Sequence, residues 1–435
     1  MEQNGYDAFC VGGCIRDSLL GLSPKDWDIA SSALPEECMR IFDGFSVIPT
    51  GIKHGTVTVI ADTHPLEITT FRIDGAYLEN RRPKEVSFTK DIEEDLSRRD
   101  FTINAIAYNK KTGFIDPFGG ISDLQNRLIR TVGNAEKRFS EDSLRILRCV
   151  RFSSQLGFTI DISTRKAAED LSHLLSSISK ERIASELSKI LCGDFAETAL
   201  RENSDIIFVI LPELKPMFLC AQENPYHIYG VWEHSLNALG ASPKNLPIRL
   251  ALLFHDSGKP SVKTYGNDGI AHFYGHAKAS TGIADAALKR LKYPLHIQKL
   301  VHLLIQYHDY PLPMKNIKIK RLLQEMGGDD FFSLMEVYKA DISAQSPNLA
   351  PSRLPILKQT CNYAENLIKN DECLSLKQLA INGDDLIYLG CPCGNNIGEI
   401  LNELLELVLL EQIPNKRERL LTVAERRISQ ISRHS

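Results

Sequence analysis

The sequence predicts an α+β chain: a small mixed sheet with helices comes first, and helices alone follow. Three observations carry this. Residues 9 to 120 alternate short β-branched runs with glycines. Asn134 to Leu191 holds almost no Gly or Pro, and its apolar residues recur at helical spacing. Near the C-terminal end, Ile400, Leu401, Leu404, Leu405, Val408 and Leu409 form one apolar stripe.

Thr56-Val57-Thr58-Val59-Ile60 and Leu66 to Phe71 read as strands. A helix is expected directly after Gly12-Gly13. Leu144, Leu147, Arg148, Arg151 and Phe152 mark one helix face. Pro212, Pro216 and Pro225 break the pattern before a histidine-bearing helical unit starting near Tyr226. Pro347, Pro351 and Pro355 are expected to mark a further boundary ahead of the last helical segment.

Composition narrows the function. The 435 residues are 43% apolar and 24% charged, as in ordinary globular domains, which excludes a mainly disordered, collagen-like or disulfide-stapled chain. No stretch is long and apolar enough to predict a membrane span. Met1 to Asp7 carries two acids and no base, so no secretory signal is expected. Ten scattered cysteines without a Cys-x-x-Cys pair predict reduced, mostly buried thiols and a cytoplasmic setting. Net charge is −4, so any nucleic-acid partner must be met by local basic patches.

The strongest chemical signal is Val11-Gly12-Gly13-Cys14-Ile15-Arg16-Asp17, followed by Lys25-Asp26-Trp27-Asp28-Ile29. Glycines at a helix start let backbone N–H groups approach a phosphate, and Arg16 can neutralise it. Asp26 and Asp28 are two apart, so on a strand both carboxylates share one face. Paired carboxylates facing a phosphate site are what two hard divalent cations require.

These motifs resemble the class II tRNA nucleotidyltransferases and bacterial poly(A) polymerases, which are polymerase-beta-like nucleotidyltransferases. Further matches follow in order: Gly51 to Val57, Glu67 to Arg72, Glu94 to Ala105, Ile115 to Gly120, Glu141 to Arg148 and Lys180 to Leu187. The resemblance covers roughly the first half of the chain. The chain starts close ahead of the glycine motif, where the family often carries a helix, so the head is expected to have one packing element fewer.

The resemblance implies transfer of a nucleotide from CTP or ATP to a tRNA 3′-hydroxyl, with two Mg²⁺ ions on Asp26 and Asp28. Glu67 is a candidate third carboxylate. Gly13, Arg16 and Arg99 are implied nucleotide contacts. Asp142 and Arg145, read as one helix face, are implied to imitate the pairing edge of a base, and Arg148 and Arg151 to contact base or triphosphate. Arg72 to Pro83 resembles the flexible loop of CCA-adding and A-adding members, which argues against CC addition alone. Asn382 to Leu401 resembles the tail of CCA-adding enzymes, except that Cys393-Gly394-Asn395-Asn396 stands where the family usually has Gly-Pro. Lys416, Arg417, Arg419, Arg426, Arg427 and Arg433 form a basic patch suited to an RNA backbone.

A second ordered set is His234, His255-Asp256-Ser257-Gly258-Lys259, His276, His308 and Asp341. Imidazoles with carboxylates suit a divalent metal that activates water. The set resembles the HD metal-dependent phosphohydrolases, which implies His234, His255, Asp256 and Asp341 as ligands of an unidentified metal and His276 and His308 as accessory histidines.

Four segments follow: head 1–133, neck with nucleotide template 134–222, HD-like unit 223–346 and RNA-binding tail 347–435. The expected activity is CCA addition to tRNA with an HD phosphohydrolase activity. The alternatives are A addition only, poly(A) synthesis, or an RNA-processing HD hydrolase whose head only binds RNA.

Overall fold

The computed structural model describes residues 1–431 except 62, 63, 76, 79–81, 84, 85, 225, 226, 392 and 393. Two units emerge: Met1–Lys215 with Ala287–Tyr293, and Pro216–Ala286 with Pro294–Ser435.

The first unit is built on β1 (Ala8–Val11), β2 (Asp28–Ser31), β3 (Ser46–Gly51), β4 (Thr56–Ala61), β5 (His64–Thr70), β6 (Ala107–Asn109) and β7 (Gly113–Ile115). They form one mixed sheet in the order β7-β6-β1-β2-β5-β4-β3. Only β2 and β5 run parallel; the other neighbours are antiparallel. Alternation sets the faces. Phe9 and Val11 point into one core with Phe71 and Leu96, and Val57, Val59 and Ile68 into another with Ala33 and Cys38. The strands expected at Thr56–Ile60 and Leu66–Phe71 are β4 and β5.

Helix α1 (Gly13–Leu19) starts where the glycine pair predicts it. α2 (Ile92–Ser97) is capped by Asp91, whose carboxylate accepts from the Glu93 N–H at 2.8 Å. α3 (Ala135–Glu141) begins at the Asn134 cap. α4 (Leu144–Leu156) ends on Gly157 at φ 67°, and α5 (Lys180–Leu191) lies against it.

The second unit contains α6 (Val231–Ala241), α7 (Leu246–Phe254), most of α8 (His276–Arg290), α9 (Leu295–Tyr307), α10 (Asn316–Ala344), α11 (Ala350–Lys369), α12 (Asn395–Leu409) and α13 (Arg417–Ile431). α10 is broken at Gly327, φ 80° and ψ 174°. In the predicted stripe of α12, Ile400, Leu404, Leu405 and Leu409 are buried, against Leu420, Ala424 and Ile428 of α13.

Two boundary prolines behave differently from expectation. Pro351 and Pro355 lie within α11. Pro351 sits in the first turn, where the missing N–H has no helical partner anyway; Pro355 leaves the Pro351 carbonyl without its helix donor. The expected breaks at Pro225 and Tyr226 lie outside the described residues. So do parts of the expected loop at Ala76 and Glu79 to Arg81, as well as Cys393 of the divergent turn and Arg433 of the basic patch.

Candidate functional sites

The first site forms where β1 turns into α1. Gly12 has φ 76° and ψ −133°. A Cβ added there would stand 3.0 Å from Arg99 Nη1 and 3.8 Å from Asp28 Oδ2, so this glycine lets the guanidinium and the carboxylate close onto the chain. Gly13 is the first residue of α1, facing Arg16.

Asp28 is the first residue of β2, and Asp26 lies in the bend before it. The expected common strand face for the pair is therefore corrected: the strand starts too late to include Asp26. The two carboxylates still feel each other. Desolvation pushes the Asp28 carboxyl above its ordinary value, Arg99 pulls it down, and the Asp26 charge adds to the rise. Glu67 stands opposite Asp28 in the parallel β2–β5 register.

Four arginines converge behind this edge. Arg99 binds Asp95 Oδ2 at 3.1 Å. Arg16 donates to Asp17 Oδ1 at 2.7 and 2.8 Å and to Asn104 Oδ1 at 2.8 Å. Arg148 donates to Asp100 Oδ2 at 2.7 Å, and Arg151 binds Glu186 at 3.0 Å. The guanidinium carbons of Arg16, Arg148 and Arg151 lie 5.1, 5.7 and 4.4 Å from the centroid of the buried Phe152 ring. An aromatic face attracts cations, so the ring helps hold three like charges together. Burial works to raise the Asp100 carboxyl, but the Arg148 charge and the hydrogen bonds from Asn104 and Arg148 outweigh it and hold it far below the usual range. Burial and the Arg148 charge lower the Arg151 pKa.

The template pair departs from the helix reading. Asp142 is extended, φ −139° and ψ 99°, between α3 and α4. Its Oδ1 accepts from the Leu144 N–H at 3.2 Å and its Oδ2 from Arg182 at 3.2 Å. A carboxylate that accepts from the first N–H of α4 competes with continuing α3. Arg145, in the first turn of α4, points elsewhere: to Glu141 Oε2 at 3.0 Å and to the Arg98 carbonyl at 2.9 Å.

Sequence reasoning missed Asn104, Phe152, Arg182 and Glu186 as organisers of this site. All four stand inside or directly beside the motif runs, and only side-chain direction reveals their roles.

The second cluster lies wholly in the helical unit. His234 comes from α6, His255 from the end of α7, Asp256 from the residue after it, His276 from the start of α8, His308 from the end of α9 and Asp341 from α10. His234 Nε2 is 2.8 Å from Asp341 Oδ1, and His255 Nε2 is 3.3 Å from Asp256 Oδ2 and 3.5 Å from Asp341 Oδ1. His276 and His308 join them, with Nε2 atoms 3.2 Å apart. Each Nδ1 faces a backbone carbonyl: His234 to Ala344 at 3.3 Å, His255 to Leu252 at 2.8 Å, His276 to Phe273 at 2.9 Å and His308 to Ile305 at 2.7 Å. A carbonyl only accepts, so each Nδ1 holds a proton and each Nε2 faces the middle of the cluster. His255 Nε2 is buried without a hydrogen-bond partner, and Asp256 Oδ2 is met by the Lys259 ammonium at 2.7 Å. An orphaned imidazole acceptor beside buried carboxylates fits a cation.

The basic tail is partly neutralised. Arg417 pairs with Asp385 and Arg427 with Glu403. Among the described residues, no helix is long and apolar enough to cross a membrane.

The chain matches the family models for the poly(A) polymerase head domain over residues 8–130, the RNA- and SrmB-binding site of polymerase A over 157–218, and tRNA nucleotidyltransferase domain 2 over 267–424. It is 52% identical to the CCA-adding enzyme of Geobacillus thermodenitrificans over 200 residues, 46% of this chain and 49% of that protein, so this match spans about half of the relative. It is 34% identical to the CCA-adding enzyme of Anoxybacillus flavithermus over 425 residues, 97% of this chain and 93% of that one. The crystal structure of the Bacillus stearothermophilus CCA-adding enzyme in complex with CTP superposes with a TM-score of 0.73 at 32% identity, covering 100% of this chain and 96% of that chain. The Thermotoga maritima CCA-adding enzyme complexed with tRNA_CCA shares the fold, at a TM-score of 0.59 and 19% identity over 97% and 92% of the two chains. With a paired-carboxylate head, an arginine-lined edge and similarity running nearly from end to end, this chain belongs to the CCA-adding enzyme family of nucleotidyltransferases.

Proposed function

We propose that this chain adds the sequence CCA to the 3′ ends of tRNA in the cytoplasm, using CTP and ATP. The observation that carries the reading is the meeting at Gly12 of Arg99 and Asp28, with Asp26 close enough to raise the Asp28 pKa. Asp26 and Asp28 would hold two Mg²⁺ ions, and their mutual repulsion is what a cation relieves. With divalent ions bound, the chemistry supplied is a lowered pKa for the RNA 3′-hydroxyl and neutralised charge on the triphosphate.

The chain's own residues do the rest. Backbone N–H groups at the start of α1 face the phosphates, and Arg16, Arg148 and Arg151 balance their charge. Arg99 stays beside Asp28, positioned by Asp95. Asp142 accepts from the amine that C and A present where U and G carry a carbonyl, and Arg182 fixes its second oxygen. Arg145 is the partner donor, released from Glu141 when a base arrives. The head 1–133 would carry the chemistry, the neck 134–222 base choice, and the tail 347–435 the RNA.

The experiment is incubation of the purified protein with tRNA lacking its CCA end and with CTP, ATP or both. Three added nucleotides only when both are present support the reading. One A alone points to A addition, and a long A tract to poly(A) synthesis.

A second reading concerns residues 223–346. The four buried histidines, their Nε2 atoms turned inward, with the carboxylates of Asp256 and Asp341 support an HD-type centre in which His234, His255, Asp256 and Asp341 hold a divalent metal. Metal-dependent release of phosphate from phosphate esters, lost on chelation, tests it.

A further inference from the structure

A short hairpin stands directly ahead of α8. Its strands, β8 (Thr264–Tyr265) and β9 (Ala271–His272), pair Thr264 with His272 and Tyr265 with Ala271. The turn is closed by the Gly266 N–H on the Ile270 carbonyl at 2.9 Å and by the Ile270 N–H on Asp268 Oδ1 at 3.0 Å. Glu223 ties down the base. Its carbonyl accepts from the Ala271 N–H at 3.2 Å, and its carboxylate accepts from Lys263 at 2.8 Å and from the Tyr265 hydroxyl at 2.6 Å. Strands this short are marginal by themselves, and these tertiary bonds hold the hairpin in place.

Alternation sets what the hairpin presents to solvent. Ala271 is buried, and the Phe273 ring lies 5.4 Å from the buried Lys259 ammonium. The residues that alternate with them, His272 and Tyr274, face the other way. Their rings are parallel, with 10° between planes and 5.4 Å between centroids. The inner ring is backed. A Cβ added at Gly266 would stand 2.9 Å from His272 Nε2, so the imidazole rests on bare backbone. The outer ring is open, with Tyr274 79% exposed. An offset stack of this kind leaves one π face for a third ring.

The surroundings fix what that third ring can be. Between Lys263 and Lys278 the exposed large apolar side chains are Tyr265 and Tyr274, and they stand on opposite faces of the hairpin. A protein partner needs a contiguous apolar area on the order of several hundred Å². A nucleobase needs one ring face. Lys278, in the first turn of α8, is exposed and has no ion pair among the described residues, so it is free to meet a phosphate. Bases within a duplex are already stacked on both sides, so only an unpaired base can use such a face. We propose that Tyr274, backed by His272, is a stacking platform for an unpaired nucleobase of RNA, with Lys278 meeting the adjoining phosphate. The platform requires neither the metal cluster nor nucleotide transfer.

The test is a fluorescence titration of the full chain without triphosphates. The sequence has two tryptophans, the exposed Trp27 of the head and the buried Trp232. The parent protein therefore supplies the background for a Tyr274→Trp variant, which keeps an aromatic face at an exposed position. Single-stranded oligoadenylate should quench the variant beyond the parent, because an indole under a base loses emission. Double-stranded RNA should add no quenching. In the same variant, His272→Ala should raise the RNA concentration for half-quenching severalfold, and Lys278→Ala should lower the slope of log affinity against log salt by about one. Tyr274→Ala should weaken oligoadenylate binding by about tenfold. Emission of the Tyr274→Trp variant that follows the parent's overturns the proposal, and so does equal quenching by the duplex. Oligoadenylate binding by Tyr274→Ala equal to the parent's overturns it as well. None of these outcomes bears on CCA addition or on the metal centre, which are assayed separately.

Discussion

Asp28 and Glu67 occupy opposed positions on the only parallel strand pair of the head sheet. Their side chains leave the same face, and Asp26 lies in the bend just before β2. Asp26→Ala or Asp28→Ala is expected to lower kcat for nucleotide addition by at least about a thousandfold, roughly 4 kcal/mol of barrier. Glu67→Gln is expected to cost about tenfold or less and to raise the Mg²⁺ concentration needed for half-maximal rate. Single-turnover kinetics across a Mg²⁺ series separates the two effects. Near-normal rates in both aspartate variants would overturn the metal assignment.

Phe152 should behave as a holder of charge as well as a core residue. Phe152→Leu keeps the volume and loses the aromatic face, so Arg16, Arg148 and Arg151 lose a shared attraction of about 1 kcal/mol each at most. The expected result is a rise of roughly tenfold in KM for both CTP and ATP, with kcat changed less. Phe152→Tyr retains the face and should restore KM. An equal loss in both variants would mean that only packing matters.

Asp142→Ala is expected to relax base choice more than it slows transfer, because its carboxylate is the group proposed to read the base and Asp26 and Asp28 are the ones proposed to hold the metals. The loss of discrimination against UTP and GTP should be about 1–3 kcal/mol. Arg182→Ala, which frees the second oxygen of Asp142, should shift discrimination in the same direction by less. Competition assays with mixed triphosphates measure both, and unchanged rejection of UTP by Asp142→Ala would place the template elsewhere.

The Asp100–Arg148 pair gives a pH signature. The folded carboxyl titrates far below its unfolded value of about 3.9. Its stabilisation is therefore complete above that unfolded value and is lost progressively as pH falls toward the folded one. Asp100→Asn should lower stability at pH 7 on the order of 2 kcal/mol, allowing for the part-exposed Arg148, and flatten the acid limb of Tm against pH. Parallel acid limbs in variant and parent would show that other carboxylates dominate.

The helical cluster should be separable from nucleotide addition. His255→Ala with Asp256→Ala is expected to abolish metal-dependent hydrolysis and to leave kcat for CTP and ATP incorporation within about threefold at saturating tRNA, because the two sites belong to different compact units. A fall comparable to that of Asp28→Ala would mean that the sites are coupled.

Much of this was legible beforehand because the signals are local. Gly12-Gly13 announces α1, and β-branched alternation announces β4 and β5. The ordered histidines and aspartates converge as their spacing on separate helices allows. Illegible were features set by direction and competition. Whether α3 continues through Asp142 depends on a carboxylate that accepts from the first N–H of α4. Whether Asp26 joins β2 depends on where sheet pairing begins. The gathering of three guanidiniums on Phe152 needs Arg16 of α1 to reach the ring on α4, which no local pattern encodes.

Gly12 carries two independent vetoes. Its φ of 76° penalises any side chain, and a Cβ there would stand 3.0 Å from Arg99 Nη1, which would have to give way. Shortening Arg99 lifts one veto, while the backbone angle stands. No single compensating change can rescue a substitution there. In a saturation library scored for growth, that codon should tolerate only its synonyms, and suppressor screens started from a Gly12 variant should return reversion alone.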